Sequence, residues 1–170
     1  KFFLEDYMSS KTLKLKKEMY LKNGILLQDG KYRIVRFIKK GGFGCTYEAC
    51  HILSNRKVAI KEFFISDFCN RDKNSSNIMV AAQSKKELVD RLKNKFIREA
   101  RSIWSLNHRG IVRVSDVFEE NNTAYYVMDY IEGKALDDII LEKGRLSESD
   151  MLRYIRQVAD TLRYVHSKNI

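Results

Sequence analysis

The sequence predicts an α+β fold: a five-stranded antiparallel sheet carrying one major helix, followed by the first helices of a second, helical part. Three observations predict it. Short strand-like runs bounded by turn residues recur in the order β-β-β-loop-α-β-β. A long stretch with helical spacing, opened by a serine and a glutamate three apart, separates the third run from the fourth. From Leu136 onward the periodicity is helical alone.

The elements follow in order. Residues 1–30 form a mixed, basic leader without a structural signal, and its one dense run is Lys11, Lys14, Lys16 and Lys17. Tyr32, Ile34 and Phe37 among Arg33, Arg36 and Lys39 make the first strand, which Gly41-Gly42-Phe43-Gly44 interrupts. Thr46, Tyr47 and Ala49 resume as the second, and Lys57–Phe63 is the third. Residues 64–83 carry Asn70, Asn74, Ser75, Ser76 and Asn77 and read as a polar, irregular loop, an insertion ordered over the sheet-based lobe. Ser84 and Glu87 have capping-box spacing, and Leu88, Leu92, Phe96, Ala100 and Ile103 form the helix stripe behind them. Strands Ile111–Phe118 and Ala124–Ile131 flank the turn Glu119-Glu120-Asn121-Asn122. A short helix at Leu136–Leu141 precedes a long one over Glu148–His166, capped by Ser147 and striped with Met151, Ile155, Val158, Leu162 and Val165. The expected organisation is a leader (1–30), a sheet-based lobe with its insertion (31–131), and the start of a helical lobe (132–170).

Composition excludes several classes. At 170 residues, 44% hydrophobic and 32% charged, the chain has room for one domain or a small domain plus part of another. No apolar run approaches the roughly 18–20 residues of a membrane span. The net charge of +10 would suit a nucleic-acid binder. However, the basic residues are dispersed from Lys11 to Lys168 without a platform of stacking aromatics, so a solvated basic surface is expected and no nucleic-acid partner. Cys45, Cys50 and Cys69 show no CxxC spacing and no grouping with histidine, so no metal site is expected. Cys45 and Cys50 are an odd number of residues apart in a strand and should face opposite ways. A reduced, cytoplasmic protein is the expectation.

The chemistry concentrates in three places. Glycines between two strands form a flexible hairpin, or let backbone N–H groups approach a phosphate closely because no Cβ intervenes. Lys61, in Val58-Ala59-Ile60-Lys61, follows Gly44 by seventeen residues and lies midway along an apolar strand, a costly place for an unpaired charge. Glu99, beside Ala100 on the helix, is the expected partner.

In this order, the glycine loop, Val58-Ala59-Ile60-Lys61, the helix with Glu99 and Val127-Met128-Asp129-Tyr130-Ile131-Glu132-Gly133 resemble the protein-kinase fold. The form Gly42-Phe43-Gly44-Cys45-Thr46-Tyr47 is similar to bacterial serine/threonine kinases of the eukaryotic type. The resemblance runs from about Tyr32 to Ile170. It implies a kinase small lobe, transfer of the ATP γ-phosphoryl group to protein Ser or Thr hydroxyls, and use of Mg²⁺. In this reading Lys61 contacts the α- and β-phosphates and pairs with Glu99. Gly41, Gly42, Phe43 and Gly44 cover the phosphates; Ile38, Thr46 and Ala59 line the adenine pocket; Met128 stands at its back. The backbone of Asp129 and Ile131 bonds the adenine edge.

Departures accompany the resemblance. Lys39 stands where the loop's first glycine is expected, Ala135 replaces a polar ribose contact, and the insertion after Lys61 is longer than usual. Tyr164–Ile170 resembles the segment just before the catalytic loop, so the base and the Mg²⁺ ligands are expected beyond Ile170. The chain alone would then bind nucleotide without transferring phosphate. Its long helix over 148–166 would either self-associate or be covered by further chain. A pseudokinase-like regulatory module is the alternative reading, and a basic nucleic-acid-binding domain a more distant one.

Overall fold

The computed structural model describes residues 19–72 and 74–170. The Lys11–Lys17 run therefore lies outside the described residues. The chain builds β1 (Leu26–Leu27), β2 (Tyr32–Gly41), β3 (Gly44–His51), β4 (Arg56–Phe63), β5 (Cys69–Arg71), β6 (Ile78–Val80), α1 (Lys86–Trp104), β7 (Val114–Glu120), β8 (Thr123–Asp129), α2 (Leu136–Lys143) and α3 (Glu148–Ser167). The sheet runs β1-β2-β3-β4-β8-β7, antiparallel throughout. All five expected strands are present, and the two-residue β1, from the segment expected to be leader, joins their edge.

Local chemistry accounts for the turns. Asn121 and Asn122 both take positive φ (53° and 58°), the two-residue hairpin geometry that asparagine tolerates and that matches strand twist. The cap expected at Ser84 does not form: a 3₁₀ turn spans Gln83–Lys85, and α1 begins with no side-chain cap. The cap at Ser147 does form, its Oγ accepting from the Asp150 N–H at 3.1 Å. The buried stripe of α1 is Val89, Phe96, Ile97 and Ala100. It is rotated from the expected one, because Leu88, Leu92 and Ile103 sit at the margin of the contact.

Pleat alternation gives the sheet two faces. Cross-strand partners Thr46, Lys61 and Tyr126, and Glu48, Ala59 and Met128, share one face. Helix α1 packs there, with Phe96 against Phe63 at 5.7 Å and Tyr126 at 5.0 Å between ring centres. Cys45, Glu62 and Tyr125, and Tyr47, Ile60 and Val127, share the other face. That second face is concave, for the two ends of the sheet meet across it. Asp116 of β7 accepts from Lys31 Nζ at 2.6 Å and from the Tyr32 hydroxyl at 3.0 Å, and the Tyr32 and Phe118 rings stack at 6.2 Å.

The insertion is not irregular. Strands β5 and β6 pair as a hairpin, with Cys69 and Ile78 buried in the main core. Tyr20 stacks on Phe37 at 4.1 Å and Leu21 is buried, so residues 19–21 also close over the concave face. Sequence periodicity could not reveal either, because three-residue strands are too short to show an alternation.

Candidate nucleotide site

Strands β2 and β3 meet at a tight turn in which Gly41 faces Gly44. Gly44 is required by close approach rather than by an unusual φ: a Cβ there would stand 2.1 Å from the Glu62 carbonyl oxygen. The turn therefore lies directly against the end of β4, and the Phe64 N–H donates to the Phe43 carbonyl at 3.1 Å. Lys40 at the base of the loop is hydrogen-bonded to Ser66 of the insertion.

Beneath the turn is a cavity of ≈ 200 Å³ lined by Gly41, Gly42, Phe43, Lys61, Lys95 and Glu99 among others. Five of the residues singled out in the sequence thus converge on one space. Lys61 enters from β4 and Glu99 from α1, but they form no ion pair, and Glu99 is exposed rather than partly buried. The Lys61 ammonium instead lies 5.5 Å from the Tyr126 ring centre and 5.8 Å from that of Phe96, within cation–π range. Thr46 and Ala59 share the Lys61 face by register, and Met128 pairs directly with Ala59. Ile38 sits at a β2 irregularity between Phe37 and Lys39. Asp129 ends β8, its N–H held by the Arg113 carbonyl at 3.0 Å, and Ile131 beyond it is 67% exposed.

Lys95 was not singled out in the sequence. It lies one helical turn before Glu99, so the i, i+4 spacing on α1 was the available signal. With Lys61 and Lys95 against one carboxylate, the cavity has an excess of positive charge, which suits an anion such as a polyphosphate. Among the described residues no group of three or more His, Cys, Asp or Glu side chains gathers to hold a metal ion. A separate cavity of ≈ 250 Å³ lies between residues 20–25 and 71–76, away from Lys61. The Arg71 guanidinium at its wall already donates to protein acceptors, which leaves it a poor anion site.

The family model for the protein kinase domain matches residues 32–170. The chain is 33% identical over 141 residues to the serine/threonine-protein kinase PrkC of Bacillus subtilis, covering 83% of this chain and 19% of that protein. It is 28% identical over 149 residues to the serine/threonine-protein kinase cds1 of Schizosaccharomyces pombe, covering 88% of this chain and 29% of the relative. Among solved structures, the apo form of PpkA-294 superposes with a TM-score of 0.74 at 26% identity, over 79% of this chain and 47% of that one. Rad53 1-466 in complex with AMP-PNP, at 21% identity and a TM-score of 0.63 over 84% and 32% of the two chains, shows the shared fold. The chain thus spans under a third of the length of these two curated relatives.

Proposed function

This chain belongs to the protein kinase domain family, and on that premise we propose that it is the ATP-binding portion of a serine/threonine protein kinase. The observation that carries the reading is the single cavity bounded by the glycine turn, Lys61 and α1. ATP fits its donor set: two ammonium groups and the backbone of a turn with no Cβ at Gly41, Gly42 or Gly44. When bound, ATP supplies the phosphoryl group for transfer to a Ser or Thr hydroxyl of a protein substrate.

In this reading Lys61 binds the phosphates, and Glu99 turns toward Lys61 only when α1 shifts inward, since the two are apart as described. Gly41, Gly42, Phe43 and Gly44 exclude water over the phosphates. Ile38, Thr46, Ala59 and Met128 hold the adenine ring, and the Asp129 and Ile131 backbone its edge.

Two further readings accompany this one. The three free cysteines favour a reducing, cytoplasmic location. Among the described residues no helix is long and apolar enough to cross a membrane. Met151, Leu152, Ile155, Val158 and Leu162 of α3 are each 45–58% exposed, an apolar face for either a second copy of the chain or further chain to cover.

Calorimetric titration with Mg–ATP tests the site. The chain should bind with a dissociation constant weaker than about 1 μM, roughly 8 kcal/mol, and Lys61→Met should weaken this at least tenfold. Equal affinities for the two proteins would sink the assignment of Lys61.

A further inference from the structure

Glu62, the residue after Lys61, has no exposed surface at all. Its Oε2 accepts from the Tyr47 hydroxyl at 2.7 Å and from Arg71 Nη2 at 2.6 Å, and its Oε1 from the Tyr125 hydroxyl at 2.9 Å. Tyr47 lies on β3 and Tyr125 on β8, the two strands that flank β4. Arg71 comes from the insertion hairpin, and its side chain is 4% exposed. Its remaining nitrogens donate to the Met19 carbonyl (Nε, 3.0 Å) and the Ser76 carbonyl (Nη1, 2.6 Å). The Leu21 N–H donates to the Tyr47 hydroxyl at 3.3 Å. Three segments (β3, β8 and the insertion hairpin) therefore converge on one carboxylate, and residues 19–21 reach it through Arg71 and Tyr47.

Such a cluster contributes little to net stability. Burying a carboxylate and a guanidinium costs nearly what their attraction returns, and an apolar group of similar volume would often stabilise as well or better. What a fully bonded charge cluster adds is a single permitted arrangement. Successive strand residues point to opposite faces, so fixing the Glu62 carboxylate at three points fixes the rotation of β4 about its own axis. That rotation sets the direction in which Lys61 leaves the other face. The Glu62 backbone also abuts Gly44, so the same residue registers the glycine turn against the strand.

We propose that Glu62 and Arg71 are positioning residues for Lys61: from behind the sheet, the insertion hairpin and residues 19–21 lock the strand that presents the nucleotide-binding lysine. The claim rests on the nucleotide-site reading of Lys61. It assigns the insertion a role, as the support that holds the site in register.

The test compares the wild-type chain with Arg71→Met and with the double variant Glu62→Gln/Arg71→Met. It measures thermal stability, Mg–ATP affinity by calorimetry, and hydrogen exchange of residues 58–63. Arg71→Met leaves a buried carboxylate without its cation and should melt earlier. The double variant removes both charges and keeps amide partners for the two tyrosines, so its melting temperature should recover. Its Mg–ATP affinity should nonetheless stay roughly tenfold weak, with faster exchange in 58–63. Recovery of affinity and exchange together with stability would reduce the cluster to a structural role and overturn the proposal. If the double variant does not fold, Arg71→Lys decides instead, since it keeps the ion pair but not the fork to Met19 and Ser76. Wild-type affinity and exchange in that variant overturn the proposal, and a loss of about threefold or more supports it. A wild-type chain that binds no Mg–ATP overturns the nucleotide reading itself. The exchange of 58–63 in the double variant then decides the bracing of β4 alone, with unchanged protection against it and faster exchange in its favour.

Discussion

Gly44 and Gly42 differ at the level of single atoms although both belong to one glycine cluster. A methyl at Gly44 would meet the Glu62 carbonyl oxygen at 2.1 Å, whereas nothing lies within 4 Å of one at Gly42. Gly44→Ala should therefore destabilise by about 1–3 kcal/mol, the usual cost of forcing atoms into a filled space. Gly42→Ala should be close to neutral in the same chemical denaturation, and equal losses would show that Gly44 has no special contact. The cysteines divide in a similar way. Burial, with the neighbouring Glu62 carboxylate, pushes the Cys45 thiol up to about 12. Because the thiolate is the reacting species, native protein treated with iodoacetamide at pH 8 should label Cys50 and leave Cys45 unmodified. Labelling of Cys45 without unfolding would contradict its complete burial. The spacing of Cys45 and Cys50 predicted opposite faces, and they lie so. By contrast Glu99 was expected beside Lys61 and stands exposed and unpaired with it, because strand and helix residues meet only through packing that periodicity does not encode.

Helix caps show how far element-scale sequence signals reach. Ser84 with Glu87 and Ser147 with Asp150 have the same three-residue spacing. Only Ser147 sits in extended backbone with its hydroxyl accepting a first-turn N–H; Ser84 lies inside a 3₁₀ turn and caps nothing. Ser147→Ala should cost about 1 kcal/mol and speed hydrogen exchange in the first turn of α3. Ser84→Ala should change neither stability nor exchange at the start of α1. A reversed order of the two effects would mean that the caps have been assigned to the wrong helices. The element order itself was legible because each long run satisfies its period over seven residues or more. The insertion hairpin was not, since its two strands have three residues each and draw their stability from burial of Cys69 and Ile78.

Across the whole molecule, curling of the sheet brings residues 28–32 onto β7. Burial raises the Asp116 carboxyl, but hydrogen bonds from Lys31 and Tyr32, with the charge of Lys31, outweigh it and hold the group below the ordinary carboxylate range. A carboxyl depressed in the folded state contributes stability that is complete above the unfolded value of about 4 and is lost as pH falls through the folded value. Asp116→Asn should thus be less stable than wild type at pH 7, with the gap narrowing below about pH 4. An equal gap at pH 3 and pH 7 in urea titrations would remove Asp116 from the acid response. Closure of the sheet therefore depends on a charge pair whose members are 85 residues apart.

The sequence by itself determined the element order, the five strands, the glycine turn and the strand lysine, because alternation, helical spacing and turn residues act over a few neighbouring positions. It also determined, through the order of its motifs, the family to which the chain belongs. Only the tertiary structure decided that Lys61 faces Phe96 and Tyr126, that residues 19–30 complete the sheet and its core, and that Arg71 reaches Glu62. Those contacts reach across as many as ninety-two residues. Their formation depends on which surfaces the curled sheet leaves to be covered, and no local pattern in the chain records that.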